Sequence, residues 1–293
     1  MKKIAFICFD NYDIYLNSRD HEDHILADRL REAGLDITVT TWKDPSIRWG
    51  DFDYILLKSP WDYFEMEEAF RQWLDRVEAG QVPLINPVEV IRWNMDKHYL
   101  KDIRDAGFSL PETVFIEKNE TVDLAPFFEA WDTPAIIIKP TVSGGAHLTY
   151  KADRQQFSSI QEQVNELLRE KAFLIQNYIP EINTTGEWSL IFIGGQYSHA
   201  VNKKPASEDY RVQSHHGGKA VLAEPETFVR EEAGRLVRMF GKGCLYARVD
   251  GVVSGGKFLL MELELLEPLL FMRENPDSFN LYTRQLKQLI NHT

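Results

Sequence analysis

The chain has 293 residues, 44% of them hydrophobic and 27% charged, the profile of a folded protein with room for one large or two to three small domains. Its 45 acids outnumber 33 bases for a net charge of −12, and no local basic run offsets them, which argues against nucleic acid or an anionic membrane as the main partner. The two cysteines, Cys8 and Cys244, sit in apolar strand-like settings, so inert core thiols are expected and no disulfide framework is implied.

The opening MKKIAFICFD has too short an apolar run for a signal peptide, and nothing approaches the ~20 apolar residues of a membrane span, so a cytoplasmic protein is expected. KIAFICF reads as a parallel strand covered on both faces. A helix follows around DHILADRLREAG, with Ile25, Leu26, Leu30 and Ala33 as its stripe and Gly34 as its stop. Asp20, His21, Asp23 and His24 at its acidic start are explained by a capped helix terminus. DITVTTW and YILLKSP are strands, EMEEAFRQWLDRVEAG is a second helix, and PLINP is a final short strand. This alternation over about the first 90 residues predicts a small doubly wound α/β unit. No G-x-G-x-x-G follows its first strand, which removes support from a nicotinamide-dependent oxidoreductase. Lys58, Ser59 and WDY follow a strand's carboxyl end, where open α/β sheets bind ligands, and are expected as substrate contacts.

From NMDKHYLKDIRDAGFSLPETVFI the pattern changes. A helix with Lys97 near its start ends at Gly107, and a strand follows. A helix from Ala125 to Trp131 leads to PAIIIKPTVSGGAHLTY, read as a hairpin, and an amphipathic helix over about 155–171 precedes the strand AFLIQNYI. The remainder is antiparallel in character: EWSLIFIGGQYSHAVNKKP with a Gly-Gly turn, then CLYARVDGVVSGGKFLLMELE. Between them lie the polar loop ASEDYRVQSHHGGKA and a helix from about Glu224 to Phe240.

Chemistry enters with KFLLMELELLEPLL. Strand alternation puts Glu262 and Glu264 on one face, ~7 Å apart, in a segment too apolar for open water. Buried carboxylates need protons, basic partners or a metal. YARVDGVVSGGKFLLMELE is expected to turn at a three-residue loop, Ser254-Gly255-Gly256, pairing Asp250 with Leu260 and Glu262 with Arg248. Arg248, Asp250, Glu262 and Glu264 then share a face, whereas a two-residue Gly-Gly loop would put Asp250 and Glu262 on opposite faces. Three acids and an arginine suit Mg²⁺ and a polyphosphate, and a plain salt-bridge cluster is the other reading. Glu267 would point away from Glu264 if the strand continued, but Pro268 is expected to end the strand first, which leaves the direction and role of Glu267 open.

In IIIKPTVSGG, Lys139 ends an apolar strand before a small glycine loop whose backbone N–H groups could approach phosphate oxygens. The stretch is no Walker motif, and alone a hairpin turn with an outward-reaching lysine is the simpler reading. In LIQNYIPEINTTGEWSL, a strand edge could read an adenine and Glu187 could accept ribose hydroxyls; a strand leading to a turn explains it equally well. His215-His216 has no partner at metal-ligand spacing and reads as a solvated or substrate-covering loop rather than a zinc site.

Together and in this order these segments resemble the ATP-grasp ligase superfamily, over nearly the whole chain. The closer likeness is to the branch with D-cycloserine synthetase-like and glutathione-synthetase-like ligases. It is carried by SPWDY, WNMDKHYL, IIIKP, the glycine loop, GEWSLIFIGGQYSHAVNKKP, DYRVQSHHGG and YARVDG…LLMELELLEP. The resemblance implies an α/β pre-ATP-grasp domain (1–92) followed by a two-lobed α+β ATP-grasp domain with antiparallel sheets, a small lobe at 93–180 and a large lobe at 181–293. Carried over by position, Lys97, Lys139 and Lys203 would contact the nucleotide, as would Ser143, Gly144 and Gly145 of the glycine loop. Gln176, Asn177, Tyr178 and Ile179 would hold the adenine and Glu187 the ribose. Asp250, Glu262 and Glu264 would bind Mg²⁺ (or Mn²⁺). Arg248 would steady the acyl phosphate, and Arg211 would lie near the transferred phosphate or the substrate. Many ATP-grasp enzymes have Glu-x-Asn where this chain has Glu262-Leu-Glu264, and a third carboxylate still ligates Mg²⁺. The implied activity is an ATP-dependent ligation of a small-molecule carboxylate to an amine or related nucleophile, releasing ADP and phosphate. A non-catalytic ATP-binding regulatory module of the same fold, which would keep Lys139 and the adenine hinge but lose acids or Arg248, is the alternative, and the retention of all of them favours the enzyme. A homodimer is the commonest soluble assembly.

Overall fold

Four short apolar strands, β1 (Lys3–Ile7), β2 (Asp36–Thr40), β3 (Tyr54–Leu57) and β4 (Leu84–Ile85), run parallel in the order β2-β1-β3-β4. The central β1 and β3 are covered on both sides, which is why they read as continuous apolar runs. Helix α1 (Glu22–Glu32) packs Leu26, Ala27 and Leu30 on one face, and α2 (Glu67–Ala79) packs Phe70, Trp73, Leu74 and Val77 on the other. Ile25, expected in the α1 stripe, stands at its exposed edge instead. The computed structural model describes residues 2–9, 22–205 and 217–291. Arg211, His21, Asp20 and the His215-His216 loop lie outside the described residues.

Two short helices, α3 (Val88–Asn94) and α4 (Tyr99–Asp105), lead into a second sheet. Its strands β5 (Thr113–Ile116), β6 (Ala135–Pro140), β7 (Tyr150–Asp153) and β8 (Phe173–Asn177) are antiparallel in the order β5-β8-β6-β7. Ile136, Ile138, Phe173 and Ile175 pack with helices α5 (Ala125–Ala130) and α6 (Ser158–Leu167). Alternation therefore leaves Ile137, Lys139, Leu174 and Gln176, paired across β6 and β8, on the opposite face.

After the short helix α7 (Glu181–Thr184), the third sheet holds β9 (Glu187–Ile193), β10 (Gln196–Lys204), β11 (Lys219–Leu222), β12 (Tyr246–Ser254) and β13 (Lys257–Glu264), all antiparallel in the order β11-β10-β9-β12-β13. One face packs Leu190, Phe192, Ala200, Ala247 and Val249 against helix α8 (Thr227–Phe240). On the other, Ile191, Ile193, Val201 and Tyr246 join helix α9 (Asp277–Asn291) and the α1 side of the first sheet. Neither β11 nor α9 is among the expected elements. No helix among the described residues is long and apolar enough to cross a membrane.

The β12–β13 hairpin corrects the sequence reading. Its turn has two residues, Gly255 and Gly256, both in the left-handed region at φ +56° and +73°, and Ser254 pairs with Lys257. Positive φ at both positions matches the twist of the flanking strands, and glycine adopts it without strain. The register then shifts between Gly251, which faces Leu260, and Asp250, which faces Glu262. Met261 is the extra residue of a β-bulge. Asp250 thus faces Glu262 rather than Leu260, and Arg248 faces Glu264 rather than Glu262. The short turn does not separate the acids, because the bulge supplies the missing half-period.

Candidate active site

Antiparallel register builds the site from the sheet outward. Ser189 of β9, Asp250 of β12 and Glu262 of β13 form one row, and Arg248 and Glu264 stand side by side in the next. Glu187 and Lys203 are paired across β9 and β10 on the same face. Each acid is met by a base. The Arg248 guanidinium donates to Asp250 Oδ2 at 2.8 Å and also reaches Glu264. Lys203 Nζ lies 3.2 Å from Asp250 Oδ2 and 2.5 Å from Glu187 Oε1, and Ser189 Oγ donates to Asp250 Oδ1 at 2.5 Å. Lys97, in the turn before α4, spans two groups: its Nζ lies 3.2 Å from Glu262 Oε1 and donates to the Ser143 carbonyl at 2.7 Å. That contact ties the glycine loop of the second sheet to the acids of the third.

Charge compensation is unequal. Burial pushes Asp250 up, but Arg248 and Lys203 outweigh it and hold the carboxyl down at about 2. Glu262 is likewise held below its ordinary value, as Lys97 and Lys139 overcome burial. At Glu264 burial prevails over Arg248, with Asp250 and Glu262 adding repulsion, and the carboxyl is pushed up to about 7. Burial keeps Lys139 below the usual lysine range; Glu262 opposes this and Lys97 adds to it.

A family model for the prokaryotic glutathione synthetase ATP-grasp domain matches residues 106–262, more than half of the chain, and one for the N-terminal domain of D-cycloserine synthetase DcsG matches residues 4–86. The chain belongs to the ATP-grasp ligase family. It is 28% identical over 188 residues to the cycloserine biosynthesis protein DcsG of Streptomyces lavendulae, across 63% of this chain and 62% of that protein. Against a glutathione synthetase of Rhodopseudomonas palustris the identity is 25% over 222 residues, across 74% and 66%. In both cases the aligned part is just under two thirds of the relative's length. The crystal structure of D-cycloserine synthetase DcsG shares the fold with a TM-score of 0.86 at 23% identity, covering 98% of this chain and 99% of that one. D-alanine–D-alanine ligase from Bacillus anthracis complexed with ATP gives 0.70 at 17%, covering 100% and 97%.

In this ATP-grasp chain, Lys139 and Gln176 share the face of the second sheet opposite its helices. The Lys139 ammonium forms no ion pair or hydrogen bond among the described residues, and the buried acceptors Gln176 Oε1 and Asn177 Oδ1 lack partners there. Tyr178 and Ile179 continue past β8, and Ile179 packs on Val252 of the third sheet, so these residues join the two sheets. Gly145 has φ +57°, and Gly144 lies against Phe64 and Glu267.

The expectation of Lys58 and Ser59 as substrate contacts fails. Lys58 is fully buried: its Nζ sits 3.2 Å from Glu22 Oε1 and 3.0 Å from Asp23 Oδ1 and donates to the Pro268 carbonyl, while Ser59 donates to Asp23. Both are structural ties rather than exposed substrate contacts, and Asp23 is part of a buried ion cluster rather than a simple helix cap. Glu267, whose direction the sequence leaves open, turns back toward the site. The strand ends at Glu264, and the following bend returns the Glu267 side chain to Tyr63 and Gly144. The end of the strand before Pro268 agrees with the sequence reading.

Among the described residues no three acidic, His or Cys side chains are arranged to hold a metal by themselves, since each acid of the row is turned onto a base. The donor set still fits the family's Mg²⁺. These are hard carboxylate oxygens, and Mg²⁺ is usually held by one or two carboxylates together with substrate phosphates rather than by an all-protein cage.

Proposed function

We propose that this chain is an ATP-dependent ligase that joins a carboxylate to an amine, or a related nucleophile, through an acyl phosphate. The carrying observation is the Lys139 ammonium, which pairs with no acid among the described residues, on a sheet face where the neighbouring acids already hold bases. An anion is what that cation lacks, and a polyphosphate would also draw Lys97, Lys203 and Arg248 away from the acids. Gln176 and its neighbours supply buried acceptors and a strand edge for the base of the nucleotide, and Glu187 a carboxylate for its ribose.

In the first step the γ-phosphoryl group passes to the substrate carboxylate and ADP departs. In the second the amine attacks the acyl carbon, loses a proton, and the C–O bond to phosphate breaks with phosphate taking the electron pair. Lys139, Lys97 and Arg248 offset the negative charge that develops at the phosphoryl oxygens. Asp250, Glu262 and Glu264 are the carboxylates that would hold Mg²⁺, which would supply Lewis-acid stabilisation of the developing phosphoryl charge. The glycine loop Ser143-Gly144-Gly145 shields the acyl phosphate from water.

The DcsG and glutathione synthetase relatives make small molecules bearing both amine and carboxylate the first panel to try. ADP formation from Mg²⁺–ATP should be stimulated by one or more of them in wild-type protein and lost in Asp250→Asn. Thermal stabilisation by Mg²⁺–ATP with no ADP from any compound overturns the reading in favour of a binding module without turnover.

A further inference from the structure

Residues 265–272, LLEPLLFM, form neither helix nor strand, yet side chains from distant parts of the chain fix their backbone. Asn86 Nδ2 donates to the Leu265 carbonyl at 2.8 Å, Tyr246 Oη to that of Leu266 at 3.0 Å, Trp61 Nε1 to that of Glu267 at 3.1 Å and Lys58 Nζ to that of Pro268 at 3.1 Å. The Glu22 carboxylate accepts the N–H groups of Leu270 at 3.0 Å and Met272 at 2.8 Å. An irregular segment pinned at nearly every residue holds a side chain in place, which is what a binding or reacting group requires.

The side chain so held is Glu267. Its carboxyl faces the phenol of Tyr63, which follows the carboxyl end of β3, and it lies against Gly144 of the glycine loop. It therefore sits where the first sheet meets the nucleotide cleft, beyond the Glu262–Glu264 row. Its charge balance differs from that of the row. Glu262 has Lys97, Asp250 has Arg248 and Lys203, and Glu264 has Arg248, whereas Glu267 forms no ion pair among the described residues. Burial first, and then the Glu264 charge, push its carboxyl up to about 8. A carboxyl kept out of water, with Lys97 opposing the shift but no ion-pair partner among the described residues, takes up either a proton or a cation, and a bound ammonium would displace the proton. Mg²⁺ would have the Asp250, Glu262 and Glu264 carboxylates, and ATP and the substrate carboxylate are both anionic, so the cation for Glu267 comes from the amine-bearing side of the reaction.

We propose that Glu267, backed by the Tyr63 hydroxyl, binds the ammonium group of the amine-bearing substrate and so selects amino compounds over their hydroxy or des-amino counterparts. The proposal rests on the ligase reading for the placement of ATP and names the chemistry of its second substrate. Glycine at position 144 is part of the same pocket, since a Cβ there would come within 3.5 Å of Glu267 Oε1 and 3.2 Å of the Phe64 ring.

The test is a thermal-shift titration of wild-type, Glu267→Gln and Tyr63→Phe protein, each saturated with Mg²⁺–ADP. The probes are the common amino acids in both configurations and small diamines, each beside its hydroxy or des-amino counterpart. Wild-type protein should be stabilised by one or more amino members and not by the counterpart. Glu267→Gln should weaken that binding on the order of 30-fold, as loss of a charge-assisted hydrogen bond does, and Tyr63→Phe several-fold, with the Mg²⁺–ADP shift unchanged in both. The proposal is overturned if no amino member is preferred by wild-type protein, if the preference survives in Glu267→Gln, or if that variant instead raises the Mg²⁺ requirement and leaves the preference intact. Failure of the ligase reading is seen separately, as absence of ADP formation while the amino preference persists.

Discussion

Glu264 and Glu267 carry protons at a pH where Asp250, in the next strand, does not. Burial raises the first two to about 7 and about 8, while Arg248 and Lys203 hold Asp250 at about 2. A carboxyl whose native value lies above its unfolded value binds its proton more tightly when folded, so its contribution to stability is full below the unfolded value and fades as pH rises through the native one. Ligand-free protein is therefore expected to melt at a lower temperature at pH 8.5 than at pH 6.5. Glu267→Gln, which cannot lose that proton, should flatten the slope, and an unchanged slope would contradict the assignment. Glu262 and Glu264 were legible in the sequence because strand alternation ties them to one face, whereas Asp250 joins them through a bulge that the sequence reading did not contain. Glu267 was not legible, because its direction is set by a bend beyond the strand, and Lys58 was misread because its partners Glu22, Asp23 and Pro268 are distant in sequence.

At the scale of elements, the β12–β13 hairpin shows what a turn motif leaves open. Ser-Gly-Gly fits a two- or three-residue loop, and only the bulge at Met261 reconciles the short one with acids on a common face. Gly251, opposite the start of the bulge, has no room for a side chain: a Cβ would lie 2.3 Å from the Phe258 ring and 2.6 Å from the Leu259 carbonyl. Gly251→Ala should destabilise the protein by about 1–3 kcal/mol in urea unfolding, as overpacking does, and a wild-type midpoint would contradict the packing described. The alternation of strands and helices before β4, the β6–β7 hairpin and the β9–β10 turn all followed from local patterning. The β11 edge strand is only four residues of mixed polarity, too short for alternation to register. Helix α9 does carry a legible stripe, Phe279, Tyr282, Leu286 and Ile290, at helical spacing.

Across the whole molecule, the first sheet and the ATP-grasp sheets are joined through the buried Glu22–Asp23–Lys58 cluster and the segment after β13. Lys58→Met would strand two buried carboxylates and should cost about 3–5 kcal/mol. The triple replacement Glu22→Gln, Asp23→Asn, Lys58→Met removes the charges together and should cost less. Chemical denaturation of both variants checks this, and a triple variant no more stable than the single one would show that the cluster acts through hydrogen bonds rather than charge. The central claim is the proposal that Lys139, on the face of the second sheet opposite its helices, receives a phosphate of the nucleotide. Isothermal titration of Mg²⁺–ATP into wild-type and Lys139→Ala protein tests it most directly. The dissociation constant should rise on the order of 30-fold or more in the variant, the effect of losing a charge-assisted phosphate contact; equal affinity in the two proteins would place the nucleotide elsewhere.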